Sequence, residues 1–132
     1  MKFKQKEFTA ELGRRIAEIE NTLEDYVSVF LDRYKPLLLE KGFTLEAKLS
    51  KAEDPFTPGC QSEISVGVMD EEGELIDLHT IRIWECTRHF AGLQISFHLP
   101  GSKVTGELLD ETPDEVKEEL TEYVKDWMEE EE

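Results

Sequence analysis

The sequence predicts an α+β fold: a four-stranded antiparallel meander sheet with an N-terminal and a C-terminal helix packed on one face, in the order α-β-β-β-β-α. Two stretches in which apolar residues recur every three or four positions flank a central region in which apolar and polar residues alternate. Turn-forming segments separate the alternating stretches, and short connections favour antiparallel pairing of successive strands. A single domain over residues 1–132 is expected, with an acidic tail at 129–132.

A long amphipathic helix is predicted near the N-terminus, because apolar residues recur there at helical spacing. Thr9 is suited to cap its start. Pro36 has no backbone N–H and its ring clashes with the preceding turn, so we expect a kink or a break there. Gly42 can supply a left-handed cap at the end of the helical segment. The apolar stripe comprises Phe8, Leu12, Ile16, Ile19, Leu23, Tyr26, Val27, Phe30, Leu31 and Tyr34.

Four strands are predicted after Gly42, because the apolar period changes there to two. The segment 70–73, Asp-Glu-Glu-Gly, has the composition of a hairpin turn, and Gly73 is suited to a positive φ. Connections of this length make a meander the natural sheet. The predicted strands cover residues 43–50, 63–68, 74–86 and 93–99.

The last helix has a clear start signal. Thr112 is an N-cap residue, Pro113 stands at the first helical position and Glu115 follows three residues after the cap. These features predict a helix over the C-terminal segment with one buried face. Its apolar stripe comprises Val116, Leu120, Tyr123, Val124 and Trp127.

The third strand breaks the clean alternation and allows two registers. In the unbulged register, Ile76 and Leu78 face the core, and Ile81 and Ile83 stand on the open face of the sheet. A bulge near Thr80 would instead turn Ile81 and Ile83 inward. We adopt the unbulged register, because the neighbouring strands alternate without interruption.

The charge of the chain excludes two classes of partner. The net charge is −16, and residues 110–132 account for −10 of it. Nucleic acid and anionic membranes both require clustered basic residues, so neither is a predicted partner. No apolar run approaches the roughly 18–20 residues that span a bilayer. The opening residues lack the apolar segment of a secretory signal, so a cytoplasmic location is expected.

Residues 81–92, IRIWECTRHFAG, concentrate the reactive side chains. Cys86 and His89 have a C-x2-H spacing, which is one half of a paired zinc-binding pattern. In the unbulged register Cys60 faces Trp84 and not Cys86, which disfavours a shared ion or a disulfide. His89 falls in the predicted hairpin loop, and no catalytic or cofactor motif is present. No catalytic, cofactor or metal site is therefore predicted; a small enzyme or metal protein built on Cys86 and nearby histidines is an alternative.

The sequence favours a non-catalytic binding protein that captures a basic protein partner. Its size, acidity and helix–sheet–helix order are compatible with small bacterial immunity or inhibitor proteins, and an adaptor is a further possibility of the same kind. A mimic of DNA is a further alternative function, and the open sheet face is also suited to forming a dimer. Candidate partner-binding residues are Glu63, Asp77, His79, Ile81, Ile83, His98, Glu118, Glu122 and Glu129.

Overall fold

The predicted α+β class is confirmed, with a helix near each end of the chain and an antiparallel sheet. The computed structural model describes residues 1–129, so residues 130–132 of the predicted acidic tail lie outside the described part. The helices are α1 (Ala10–Leu39) and α2 (Pro113–Glu129). The strands are β1 (Lys2–Lys4), β2 (Thr44–Ser50), β3 (Gln61–Met69), β4 (Leu75–Phe90), β5 (Leu93–Ile95) and β6 (Lys103–Leu108).

Within residues 1–129 the sheet has six strands rather than the predicted four. Its order is β1-β6-β4-β3-β2, and β5 pairs with β4 outside this path. The prediction missed β1 and β6. β1 is only three residues long and becomes a strand because β6 offers it a partner, through pairs such as Phe3↔Gly106. In β6, Gly106 interrupts the alternation of Val104 and Leu108, which hides the period of two.

The predicted strand over 93–99 is wrong beyond Ile95. β5 pairs with β4 from Arg88↔Ile95 to Phe90↔Leu93. At Cys86 the N–H of Gly59 and the carbonyl of Cys60 already occupy the backbone hydrogen-bonding groups of β4. A longer fourth strand would need those same groups, so the chain leaves the sheet after Ile95.

Of the kink or break predicted at Pro36, the break is wrong, because α1 runs without interruption from Ala10 to Leu39. Pro36 lies on the exposed side of the helix, where a carbonyl that loses its N–H partner can bind water. Tyr34 and Leu38 are both buried and hold the helix against the core on either side of the proline. The predicted cap is confirmed: Gly42 has φ +88°, and the N–H of Phe43 donates to the carbonyl of Leu38 at 3.0 Å.

The other predicted helix caps and the predicted turn at Gly73 are confirmed. Thr9 Oγ1 accepts the N–H of Leu12 at 3.2 Å at the start of α1. At α2, Thr112 and Glu115 form a reciprocal capping box, with N–H to side-chain distances of 2.8 and 3.2 Å. Gly73 has φ +85° in the turn between β3 and β4. Each of these features depends on neighbouring residues only, which is why local composition predicts it.

The fold divides into two compact units. Unit 1 comprises Met1–Glu20, Ser50–Glu63 and Arg82–Asp110, and unit 2 comprises Asn21–Leu49, Ile64–Ile81 and Glu111–Glu132. The core of unit 1 surrounds Trp84, whose ring contacts Phe3, Phe8 and Phe56. The indole N–H of Trp84 donates to the carbonyl of Pro55 at 2.6 Å. The fully buried side chains of unit 2 include Leu23, Phe30, Leu38, Leu45, Ile64, Val66, Val68 and Leu120.

The unbulged register of the third strand is wrong. Ile81 and Ile83 are buried, at 4% and 0% exposure, whereas Ile76 and Leu78 are 46% and 57% exposed. The reverse arrangement, with Ile81 and Ile83 turned inward, is therefore the correct one.

The physical reason is that β4 contains extra residues relative to β3. The N–H of Asp70 donates to the backbone carbonyl of Glu74, and the N–H of Cys86 donates to the backbone carbonyl of Cys60. Cys60 and Asp70 are ten positions apart, but Glu74 and Cys86 are twelve apart, so β4 carries two additional residues. Two one-residue bulges would account for them, and each bulge exchanges the two faces of the strand. The first exchange turns Ile81 and Ile83 inward, and the second returns Trp84 and Cys86 to the core.

Candidate functional site

The acidity of the chain is confined almost entirely to unit 2. The three segments of unit 2 contain 21 of the 31 acidic residues and 6 of the 15 Lys and Arg residues, which gives −15. The segments of unit 1 contain the other 10 acids and 9 bases, which gives −1. The acidic residues of α2 therefore share a unit with those of the β3–β4 turn and of α1. Unit 2 is the part of the chain that would attract a cationic partner.

An apolar groove lies on the sheet within unit 2. It has a volume of about 260 Å³ and crosses β2, β3 and the start of β4. Leu75 and Leu78 form one side and are 59% and 57% exposed. Gly67 lies beneath them: a Cβ at this position would be 3.2 Å from Leu75 Cδ1 and 3.4 Å from Leu78 Cδ1. The residues that we call the apolar groove are Glu46, Ala47, Lys48, Ser65, Gly67, Met69, Leu75 and Leu78, and the two charges among them, on Glu46 and Lys48, are of opposite sign.

The prediction missed this groove because it placed Leu78 in the core. The available signal was the pair Leu75 and Ile76, where two consecutive apolar residues interrupt the period of a strand. Large apolar side chains exposed side by side within a charged surface are typical of interaction sites. The groove and the acidic β3–β4 turn, which joins Met69 to Leu75, form the candidate functional site.

Asp77 and His79, two of the predicted partner contacts, are engaged by α2 within unit 2. His79 Nε2 lies 2.7 Å from Glu119 Oε2, and the imidazole stacks on the ring of Tyr123 with 5.4 Å between centroids. The hydroxyl of Tyr123 donates to Asp77 Oδ2 at 2.8 Å. These contacts fix the position of α2 relative to β4. Asp77 and His79 therefore anchor the helix on which Glu118 and Glu122 are exposed.

This anchor predicts a loss of stability at alkaline pH. Burial and then the hydrogen bond to Asp77 raise the pKa of Tyr123 from 10.0 to about 12. The folded protein keeps the phenol proton to a higher pH than the unfolded chain does, so the contribution is complete below pH 10 and is lost as pH rises toward 12. We expect Tyr123→Phe to show a smaller fall of the urea midpoint between pH 9 and pH 11.5 than the unchanged protein. Identical pH dependence in the two proteins would contradict this assignment.

The remaining predicted residues are divided between the two units. Glu63 is half-buried and His98 is exposed, and both belong to unit 1. Glu118, Glu122 and Glu129 are exposed on α2 in unit 2. Ile81 and Ile83, predicted as partner-binding residues on the open face of the sheet, are core residues, so the groove replaces them as the apolar part of the candidate site.

A second cavity belongs to unit 1 and is lined mainly by polar and charged residues. It has a volume of about 520 Å³ on the sheet face of β1, β6 and β4. At its floor, His89 Nε2 lies 2.6 Å from Thr87 Oγ1 and 3.2 Å from Thr105 Oγ1. His89 is thus part of β4 and not of the predicted loop, because the turn is confined to Ala91 and Gly92, which have φ of 52° and 80°. Its Nε2 already has two hydroxyl partners and does not contact Cys86.

Cys86 has the properties of a core residue. Burial, followed by the influence of Cys60, raises its pKa from 9.0 to about 11, so the thiol is protonated at neutral pH. Nucleophilic catalysis needs the thiolate. Among residues 1–129, no group of three or more His, Cys, Asp or Glu side chains is arranged to hold a metal ion.

Comparison with known proteins gives no relative. No protein-family model matches the chain, and neither the curated proteins nor the solved structures contain a match. In the described part of the chain, neither helix combines the length and apolar character needed to cross a bilayer. The functional argument therefore depends on the surface of the molecule.

Proposed function

We propose that the protein is a non-catalytic binding protein of the inhibitor, immunity or adaptor type, and that unit 2 captures a basic protein partner. The observation that carries this proposal is the position of the apolar groove within a unit of formal charge −15. The acidic residues supply long-range attraction, and the groove supplies contact area that excludes water. Neither feature alone would select a partner.

The groove suits one projecting apolar side chain. Its floor consists of the small residues Ala47, Ser65 and Gly67, and its sides are long side chains. Covering Leu75 and Leu78 removes apolar surface from water, which contributes about 25 cal/mol for each Å² that is buried. The partner is accordingly a protein with a cationic surface and an apolar side chain at its centre.

Charge complementarity indicates the class of this partner. Proteins that act on nucleic acid present clustered Lys and Arg to the phosphate backbone. An acidic unit competes for the same cationic surface, so a nuclease or another nucleic-acid-binding protein fits the proposal best. The acidic charge also increases the association rate, and this increase falls as salt screens it.

The proposal predicts that a partner crosslinks at the groove and not at a matched apolar residue of unit 1. A photo-crosslinking residue is placed at position 78, or at Leu93 as the control, in cells that naturally produce the protein. Leu93 is 69% exposed and Leu78 is 57% exposed. We expect a basic protein to be captured at position 78 alone. An acidic partner, or equal capture at both positions, would contradict the proposal.

The captured partner then allows a quantitative test. Leu78→Ser should raise the Kd about tenfold or more, since roughly 1.4 kcal/mol of binding free energy corresponds to a factor of ten. Leu93→Ser should leave the Kd unchanged. Glu72→Gln combined with Glu74→Gln should lower the association rate at low salt and have less effect near 0.15 M salt, where the screening length is about 8 Å. If the double variant and the unchanged protein associate with the partner at equal rates at low salt, the electrostatic part of the proposal is refuted.

A further inference from the structure

The turn before β3 brings the two cysteines of the chain together within unit 1. The carbonyl of Thr57 accepts the N–H of Cys60 at 3.0 Å, and Gly59 has φ +96°. The N–H of Gly59 donates to the carbonyl of Cys86 at 2.8 Å, and the N–H of Cys86 donates to the carbonyl of Cys60 at 3.0 Å. A glycine with positive φ and this pair of hydrogen bonds form a G1 bulge. Cys60 therefore lies opposite Cys86, and the predicted pairing of Cys60 with Trp84 is wrong.

The two thiols lie on the same side of the sheet. Ser62 and Ile64 follow Cys60 at intervals of two and are buried, and Cys86 is buried as well. Residues opposite each other on antiparallel strands have Cα atoms about 4.5–5.5 Å apart, which is within the range that a disulfide spans. The thiol of Cys60 also contributes to the raised pKa of Cys86. Both cysteines are free thiols.

We propose that Cys60 and Cys86 form an oxidisable dithiol, which a low-molecular-weight disulfide converts to an intramolecular disulfide. Cys60 is partly exposed and is the residue that the oxidant reaches, whereas Cys86 is buried and resolves the intermediate. This site is independent of the proposed binding function, which uses neither cysteine.

The reaction is a pair of thiol–disulfide exchanges. The thiolate of Cys60 attacks one sulfur of the oxidant, a new S–S bond forms, and the other half of the oxidant leaves as a thiolate that takes up a proton. The thiolate of Cys86 then attacks the Cys60 sulfur and releases the second half in the same way. The protein loses two electrons and two protons, and one oxidant disulfide is reduced to two thiols.

The disulfide would link β4 covalently to the segment that precedes β3. This segment already contacts β4 through the hydrogen bond from Trp84 to Pro55 and through the ring of Phe56, 6.2 Å from that of Trp84. A covalent closure between residues 60 and 86 reduces the freedom of the unfolded chain. The oxidised protein should therefore melt higher than the reduced protein, by roughly 5–10 °C.

The test uses the full chain and glutathione disulfide, with mass spectrometry of acid-quenched samples. We expect the unchanged protein to become a monomer that has lost two hydrogen atoms and carries no glutathione. Cys86→Ala should keep one glutathione on Cys60, and Cys60→Ser should remain unmodified while folded. The closing step should accelerate about tenfold for each pH unit between 7 and 9, because the pKa of Cys86 lies near 11.

Three outcomes would overturn the proposal: both thiols persist in the folded protein, a glutathione adduct accumulates without closing, or the disulfide links two chains. If Cys86→Ala does not fold, peptide mapping of early samples of the unchanged protein replaces it. The transient adduct must then be found on Cys60. An adduct that forms first on Cys86 would reverse the assigned roles and overturn the mechanism.

Discussion

Replacing Ile83 by alanine is expected to lower the free energy of unfolding by about 2–5 kcal/mol, the range for truncating a large side chain in a protein core. Ile83 has no exposed surface, and its carbonyl accepts the N–H of Leu109 at 2.8 Å within unit 1. The surrounding chain is held by this hydrogen bond and closes poorly over the cavity that alanine leaves.

Ile76 supplies the matched control, since it lies on the same strand and is 46% exposed. We expect Ile76→Ala to change the free energy of unfolding by less than about 1 kcal/mol. Urea unfolding of both variants, followed by circular dichroism, measures the difference. A larger loss for Ile76→Ala than for Ile83→Ala would restore the unbulged register and refute the arrangement of β4 described above.

Gly106→Ala is expected to destabilise unit 1 by about 1–3 kcal/mol or more, because the added methyl group overpacks the core. A Cβ at this position would overlap Cη2 of Trp84 and would come within 2.5 Å of Cζ2. The indole cannot move aside easily. It is fully buried, its N–H is bonded to Pro55, and Phe8 lies against it with 5.9 Å between ring centroids.

A double-mutant cycle separates this steric effect from other consequences of the substitution. Trp84→Phe removes the ring atoms that the new methyl group would meet, so Gly106→Ala should cost at least about 1 kcal/mol less in that background. Gly67→Ala is the control, because its Cβ would meet the ends of Leu75 and Leu78, which are exposed and can shift, and would lie 3.4 Å from the carbonyl oxygen of Asp77, an ordinary contact distance. It should have little effect on stability. Equal costs for Gly106→Ala in both backgrounds would show that Trp84 is not the obstacle.

The features that the sequence predicts correctly are those determined by near neighbours. The caps at Thr9, Gly42 and Thr112 and the turn at Gly73 each depend on a few consecutive residues, and all are present. In each helix the apolar residues recur at a regular spacing, and this apolar stripe predicts which face of the helix is buried. The α+β class follows from the same patterns.

The errors concern features that depend on distant partners. Phe3 has no strand signal of its own and joins the sheet because Gly106 lies opposite it, more than a hundred residues along the chain. The helix continues through Pro36 because burial of Tyr34 and Leu38 outweighs the lost hydrogen bond. No local composition contains that information.

The sequence by itself determined the net charge of −16, the helix ends and the alternating pattern of most of the sheet. Only the tertiary structure decided that nearly all of this charge lies in unit 2 with the apolar groove, and that Cys60 lies opposite Cys86. The physical reason is the period of two in a strand: one extra residue exchanges both faces, so the bulges decide which side chains are buried. Pairing between strands positions those bulges, and that pairing is a long-range property of the folded chain.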